Sequence, residues 1–460
     1  MQEKTEYNYK ILDRAFEESK DYNKNILAIT IATKPCYSKL WSLMVEAEKQ
    51  KCPFIILDTG QHYDSLLGHG IEEFNFKEHI AIDMNLKGGL AQKSAELFLK
   101  TEEIKNTLVK KYPGAKLIPY VNGDTMTAGI FPIALMFSTN YKAIQGEAGL
   151  RAMSPSFFKE KNISSLSPES FFQKQKSKDW ILRRNEPFPE QYCTFISAAT
   201  SEYHFAPIQL NKDHLVREGH DKENIFVVGN TIVDTLQQRT IQPEVSVFDD
   251  HPALEKDEWL RVDIHRRGNL TETRFKSIIG SVINLVEKGK NLSFIELTAT
   301  KKALEFYKLR DKLLSLSKSH KNFLFTPLWR EYAQVSEFVK SDHCWSILTD
   351  SGGMQEEMNE YGKPCMTTRF STDRPETVQA GSNVLIPAIT KEFISEKVSY
   401  LNKSDTLQKE MSRAPKLYGT DVGKKSIKII KDLFRKDSSF HKWTHESLGF
   451  NFDDENIEYL

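Results

Sequence analysis

The chain has 460 residues, and its 63 Lys and Arg are balanced by 63 Asp and Glu. That length is a prior for two or three domains with substantial cores, and a net charge of zero excludes a general pull toward nucleic acid or anionic membrane. The composition is that of a globular protein, and five cysteines without a CxxC pair argue against a disulfide scaffold or structural zinc site and for a reducing compartment.

From the N-terminus, the charged stretch Met1–Tyr7 lacks an apolar run followed by a cleavage signal, so no secretory peptide is expected. The apolar run Ile26–Ala32 reads as a buried strand, followed by a break at Thr33-Lys34-Pro35 and a helix carrying Leu40, Trp41, Leu43 and Met44. A second strand, Pro53–Leu57, runs into Thr59-Gly-Gln-His62, which begins a parallel sheet with crossover helices. Lys116–Val121, Tyr141–Gln145 and Thr200–Phe205 are further strand candidates. The longest apolar stretch, Gly129–Phe137, is broken by Pro132 and too short to span a bilayer, so a cytoplasmic protein is expected. Ser154–Glu186 has no clear periodicity and reads as a long inserted loop.

After Ile225–Val228 the pattern restarts, with strands at Leu260–Ile264, Leu292–Leu297, Phe323–Thr326, Ser346–Leu348 and Cys365–Thr368. Helices such as Thr273–Glu287 and Met354–Tyr361 alternate with them, and a last helix covers Gly423–Phe434. The fold class expected is α/β: two Rossmann-like domains with parallel sheets facing a central cleft. The boundaries expected are 1–207, 208–422, and 423–460 as a helix returning to the first domain plus a polar tail.

The strongest local signal is Leu348–Glu357, a strand end followed by Ser351-Gly352-Gly353 and a helix start, where free N–H groups hold an anion. Glu356 and Glu357 either complement the helix dipole or accept from a ribose. Gly123-Asp124-Thr125 and Gly146–Arg151 follow strands in the first half, so Asp124 and Glu147 can face one cavity, unless Asp124 is simply a helix N-cap. His265-Arg266-Arg267 and Arg374-Pro375-Glu376 sit after strands in the second half and suit an anion with acid–base work.

These segments, with Gly229–Asp234 and Gly362-Lys-Pro364, occur in an order that resembles the UDP-N-acetylglucosamine 2-epimerase family from about residue 27 to 430. The resemblance implies a GT-B architecture, a UDP-sugar substrate, homodimers, and no metal or other cofactor. Its chemistry is removal of the C2 proton of the N-acetylhexosamine with loss of UDP, then re-addition to a 2-acetamidoglucal with the proton on the opposite face. Such an isomerase supplies cell-surface polysaccharide synthesis. It further implies Asp124, Glu147 and Glu190 as acid–base groups and His265 beside the diphosphate and sugar. Ser351, Gly352 and Gly353 become the pyrophosphate cradle, Glu357 the ribose ligand and Arg374 a nucleotide-side contact. Lys34, Lys39, Gln61, His62, Arg151 and Arg266 complete the substrate-binding set.

The chain departs from the family pattern where Lys34 replaces an Arg, Thr194 an Arg, Gly268 a Glu, and Leu297–Lys302 a His-containing segment. Pro327–Tyr332 carries extra residues, Trp329 and Arg330 among them. These changes predict a modified UDP-HexNAc as substrate and loss of regulation by a second UDP-GlcNAc. The competing readings are a hydrolysing 2-epimerase, a GT-B glycosyltransferase needing an acceptor, and an inactive UDP-sugar binder.

Overall fold

The computed structural model describes residues 4–61, 68–139, 141–160, 163–238, 242–436, 444 and 448–450. They cluster into two compact units: the first draws on segments 1–150, 192–235 and 420–460, the second on 151–191 and 236–419. The units are interleaved in sequence: the chain passes between them near residues 151, 192, 236 and 420, where passages at 208 and 423 were expected.

The first unit opens with β1 (Glu6–Tyr7), β2 (Asn25–Ile31), β3 (Phe54–Asp58), β4 (Ile80–Asp83), β5 (Lys116–Asn122) and β6 (Ala143–Gly146). The chain then enters the second unit, where β7 (Met153–Pro155) and β8 (Trp180–Leu182) pair antiparallel, and returns for β9 (Ser201–Ala206) and β10 (Ile225–Val227). The sheet order is β1-β4-β3-β2-β5-β6-β9-β10, parallel except for β1 against β4. Every residue of β2 is buried, as a central parallel strand covered on both faces requires.

The last helix, Val422–Lys436, packs on the helix Lys34–Lys49 within this unit. A Cβ on Gly423 would lie 2.6 Å from the Ser42 carbonyl oxygen, so only glycine allows the approach. Asp234 accepts from the Val422 and Gly423 N–H groups at 3.0 and 2.7 Å and satisfies the free donors of that helix start. With the pairing of β10 to β9, this contact ties residues 208–235 to the first unit. Thr444 and residues 448–450 apart, the tail beyond Lys436 lies outside the described residues.

The second unit holds β11 (Trp259–Asp263), β12 (Leu292–Glu296), β13 (Phe323–Pro327), β14 (Cys344–Thr349), β15 (Cys365–Thr367) and β16 (Asn383–Leu385). They form one all-parallel sheet in the order β13-β12-β11-β14-β15-β16. Val262, Phe294 and Leu348 from its strands join Ile278 and Val282 of the helix Glu272–Glu287 in the main core.

The segment expected as an inserted loop is built into this unit. It forms the helix Pro168–Gln175 and strand β8, and it buries Phe171 and Phe172 in the main core. Gln175 donates to the Leu385 carbonyl at 2.9 Å and accepts from the Leu385 N–H at 2.7 Å, which closes the sheet edge at β16. Periodicity is absent because the segment is a cap of short pieces on an existing sheet. Among the described residues, no helix is long and apolar enough to cross a membrane.

Candidate active site

In the first unit the strand ends β5 and β6 deliver a polar cluster centred on Glu147. Its backbone is left-handed at φ 50°, it follows Gly146, and its side chain is buried. The carboxylate accepts from Lys39 and from Asn230 Nδ2 at 2.8 Å on one oxygen, and from Asn122 Nδ2 at 3.1 Å on the other. Gly123, at φ 74°, would place a Cβ 2.8 Å from that second oxygen, so its glycine makes room for the carboxylate. Burial, aided by the Glu147 charge, pushes the Tyr120 hydroxyl up from its usual range and keeps it protonated.

Asp124 lies half-buried in the turn after β5. It is not the cap of the next helix: Thr125 is, its hydroxyl accepting from the Ala128 N–H at 3.1 Å. That removes the capping explanation for this carboxylate. Gln61 is buried, and its side-chain oxygen accepts from the Thr127 N–H at 3.0 Å and hydroxyl at 2.8 Å, fixing the start of the same helix. Lys34 is half-buried at the first turn of its helix. His62 lies outside the described residues.

In the second unit the carboxyl ends of β11 and β14 bring His265, Arg266 and Ser351 together around Asp350. That carboxylate is fully buried and accepts from the His265 N–H at 3.0 Å, the Arg266 N–H at 3.0 Å and Asn269 Nδ2 at 3.0 Å. The His265 ring is about one-third exposed, with Nδ1 3.2 Å from an Asp350 oxygen but outside hydrogen-bonding alignment. Arg266 donates to Glu190 at 2.6 Å, so an acid–base candidate and a cation meet on this unit. Arg151 is buried.

Ser351 N-caps the helix Gly352–Tyr361, and its own N–H donates to the Thr349 hydroxyl at 3.0 Å. Gly352 and Gly353 form the first turn, leaving backbone N–H groups for an anion. A Cβ on Gly352 would sit 2.9 Å from Arg374 Nη1, so this glycine accommodates the guanidinium behind the turn. Arg374 is buried, donating to Glu356 at 2.8 Å and to Asp373. Burial alone would raise the Asp373 carboxyl, but Arg374, Arg369 and Arg266 hold it far below its ordinary value. Arg374 is therefore a buried, paired cation braced against the Ser351–Gly353 turn. Glu357 is buried and accepts from the Tyr332 hydroxyl at 2.8 Å. Burial and the Glu357 charge push that hydroxyl well above its usual range.

A sequence profile of the UDP-N-acetylglucosamine 2-epimerase family matches residues 181–433. A UDP-N-acetylglucosamine 2-epimerase of Methanocaldococcus jannaschii is 30% identical over 387 residues, covering 82% of this chain and 92% of that protein. The chain belongs to the UDP-N-acetylglucosamine 2-epimerase family. A family member from Campylobacter jejuni is 27% identical over 428 residues, 90% of this chain and 98% of its own. The fold is that of a solved M. jannaschii UDP-GlcNAc 2-epimerase in complex with UDP-GlcNAc and UDP. The two superpose with a TM-score of 0.70 at 27% identity, over 88% of this chain and 99% of the other. The fold class is thus the GT-B-like α/β class of this family's isomerases.

The geometry adds residues to which sequence reasoning gave no role: Asp350, which ties the His265 turn to the end of β14, and Asn122 and Asn230, which hold Glu147. Asp350 and Asn230 stood inside recognised motifs, at strand ends where a short polar residue has backbone donors to meet. Tyr332, in the loop with extra residues, had no local signal.

Proposed function

We propose that the chain epimerises UDP-GlcNAc, or a modified analogue, at C2 without net hydrolysis. The observation that carries this is the assembly of the Ser351 helix start, His265, Arg266 and Glu190 around Asp350, in a member of the 2-epimerase family. The N–H groups of Gly352 and Gly353, with Ser351, hold the diphosphate; Glu357 takes the ribose, and Lys34, Lys39, Gln61, His62, Arg151 and Arg266 complete the contacts. Arg374 acts from behind the turn, through Glu356 and Gly352.

A carboxylate among Asp124, Glu147 and Glu190 removes the C2 proton as the C1–O bond to UDP breaks, leaving 2-acetamidoglucal and UDP. Re-addition of the UDP oxygen to C1, with a proton delivered to the other face of C2, completes the inversion. Two faces require two proton-transfer groups, which these carboxylates supply, each worth about 10²–10⁴-fold. Stabilising the departing diphosphate is the larger electrostatic requirement, met by the cradle and His265.

We also propose a cytoplasmic homodimer. The helices Leu90–Lys111 and Met126–Ser138 carry Leu99 and Phe137 at 62% and 73% exposure, and the Phe98 and Phe137 rings lie 6.2 Å apart. This is an apolar face suited to a second copy. Chromatographic separation of nucleotide sugars after incubation with UDP-GlcNAc tests the activity: UDP-ManNAc is expected. Free UDP and sugar without UDP-ManNAc would mark the hydrolysing reading instead.

A further inference from the structure

Two ion pairs fasten the turn Glu186-Pro187-Phe188-Pro189-Glu190 to the turn His265–Gly268, one at each end. Glu190 meets Arg266 at 2.6 Å, and Glu186 meets Arg274 at 2.7 Å. Arg274 also donates to the Gly268 carbonyl at 3.2 Å, and its guanidinium lies 4.8 Å from the centre of the Phe370 ring, so its fork is fixed from several sides. A Cβ on Gly268 would lie 3.0 Å from Arg274 Nη1 and 3.3 Å from a Glu186 oxygen. The Glu186 carboxylate therefore occupies space that a side chain at 268 would claim. Between the two pairs, the rings of Pro187 and Pro189 restrict φ to about −65°, which leaves this short span fewer ways to shift at one end alone.

We propose that Glu186 and Arg274 are positioning residues that set the Glu190 carboxylate against the His265 turn, using the room left by Gly268. Both side chains are about one-third exposed, at 33% and 28%, and an ion pair so placed adds little stability. Its value lies in geometry: a carboxylate that moves a proton must be placed to within a fraction of an ångström. The inference rests on the reading of Glu190 as an acid–base group.

The test uses the full chain with the variants Glu186→Arg, Arg274→Glu, the double exchange, Glu186→Gln and Glu190→Gln. It follows UDP-GlcNAc epimerisation and calorimetric binding of UDP. Each charge reversal is expected to lower kcat about 10–100-fold while UDP affinity stays within about twofold, since the displaced group acts on the sugar and not on the nucleotide. The double exchange should recover most of kcat, and Glu186→Gln should fall between it and the reversals. Normal kcat in the reversals, or no recovery in the exchange, overturns the clasp. Loss in Glu190→Gln with full activity in Glu186→Arg overturns the clasp alone. Full activity in Glu190→Gln overturns the reading beneath it.

Discussion

At the scale of single residues, Glu147 combines a left-handed backbone with a buried carboxylate held by Lys39, Asn122 and Asn230. A side chain with a Cβ avoids that backbone region unless its surroundings impose it, and such residues gather at functional sites. Glu147→Gln keeps the shape and removes the charge. It is expected to lower kcat by about 10²–10⁴-fold with a cooperative thermal transition retained. Wild-type turnover would remove Glu147 from the reaction.

Glu376 offers a different prediction, on stability. Burial pushes its carboxyl up from 4.5 to about 7, while the Tyr418 hydroxyl, donating at 2.7 Å, partly opposes the shift. Between those values the folded chain keeps a proton that the unfolded chain has released. The contribution is therefore full below about 4.5 and is lost as pH rises through about 7. Urea unfolding at several pH values should show wild type losing stability relative to Glu376→Gln across that window. Parallel profiles would contradict the assignment.

Among elements, the 151–191 segment changes the picture most. Its amide at Gln175 pairs with both backbone groups of Leu385, as a neighbouring strand would. Gln175→Ala leaves a buried N–H and C=O without those bonds and should cost about 1–3 kcal/mol in chemical denaturation, with the KM for UDP-GlcNAc unchanged. A stability change near zero would show that the edge needs no such cap. The same segment marks where sequence reading stops. The run of β2 announces itself because a central parallel strand, covered on both faces, is largely apolar, whereas β7, β8 and β16 are each three residues long. Pieces so short acquire their conformation from the sheet and helices they join. The helix start at Ser351, Gly352 and Gly353 was legible for the opposite reason: its backbone geometry is dictated by their own residue types. Glu186 and Arg274 lie far apart in sequence, and only the fold pairs them.

For the molecule as a whole, the zero net charge is matched by local pairing: Glu147 with Lys39 in the first unit, and Arg266 with Glu190 and Arg374 with Glu356 and Asp373 in the second. Asp124 and Glu147 lie at strand ends of the first unit, while His265 and Arg266 follow β11 in the second. Each sheet places them at its carboxyl edge, where open α/β sheets bind ligands. The order of segments was legible along the chain, with a return of the last helix among the expectations; the placement of 151–191 in the second unit and of 208–235 in the first was not, because it depends on tertiary contacts such as Gln175 with Leu385 and the pairing of β9 with β10.

The central claim is reversible proton exchange at C2 without net loss of UDP. Proton NMR of the full chain with UDP-GlcNAc in D₂O tests it most directly. The account predicts that UDP-ManNAc appears with deuterium at C2, that deuterium enters the remaining UDP-GlcNAc, and that free UDP does not accumulate. UDP-ManNAc retaining its C2 proton, or a C2 signal that persists with no new nucleotide sugar, would contradict it.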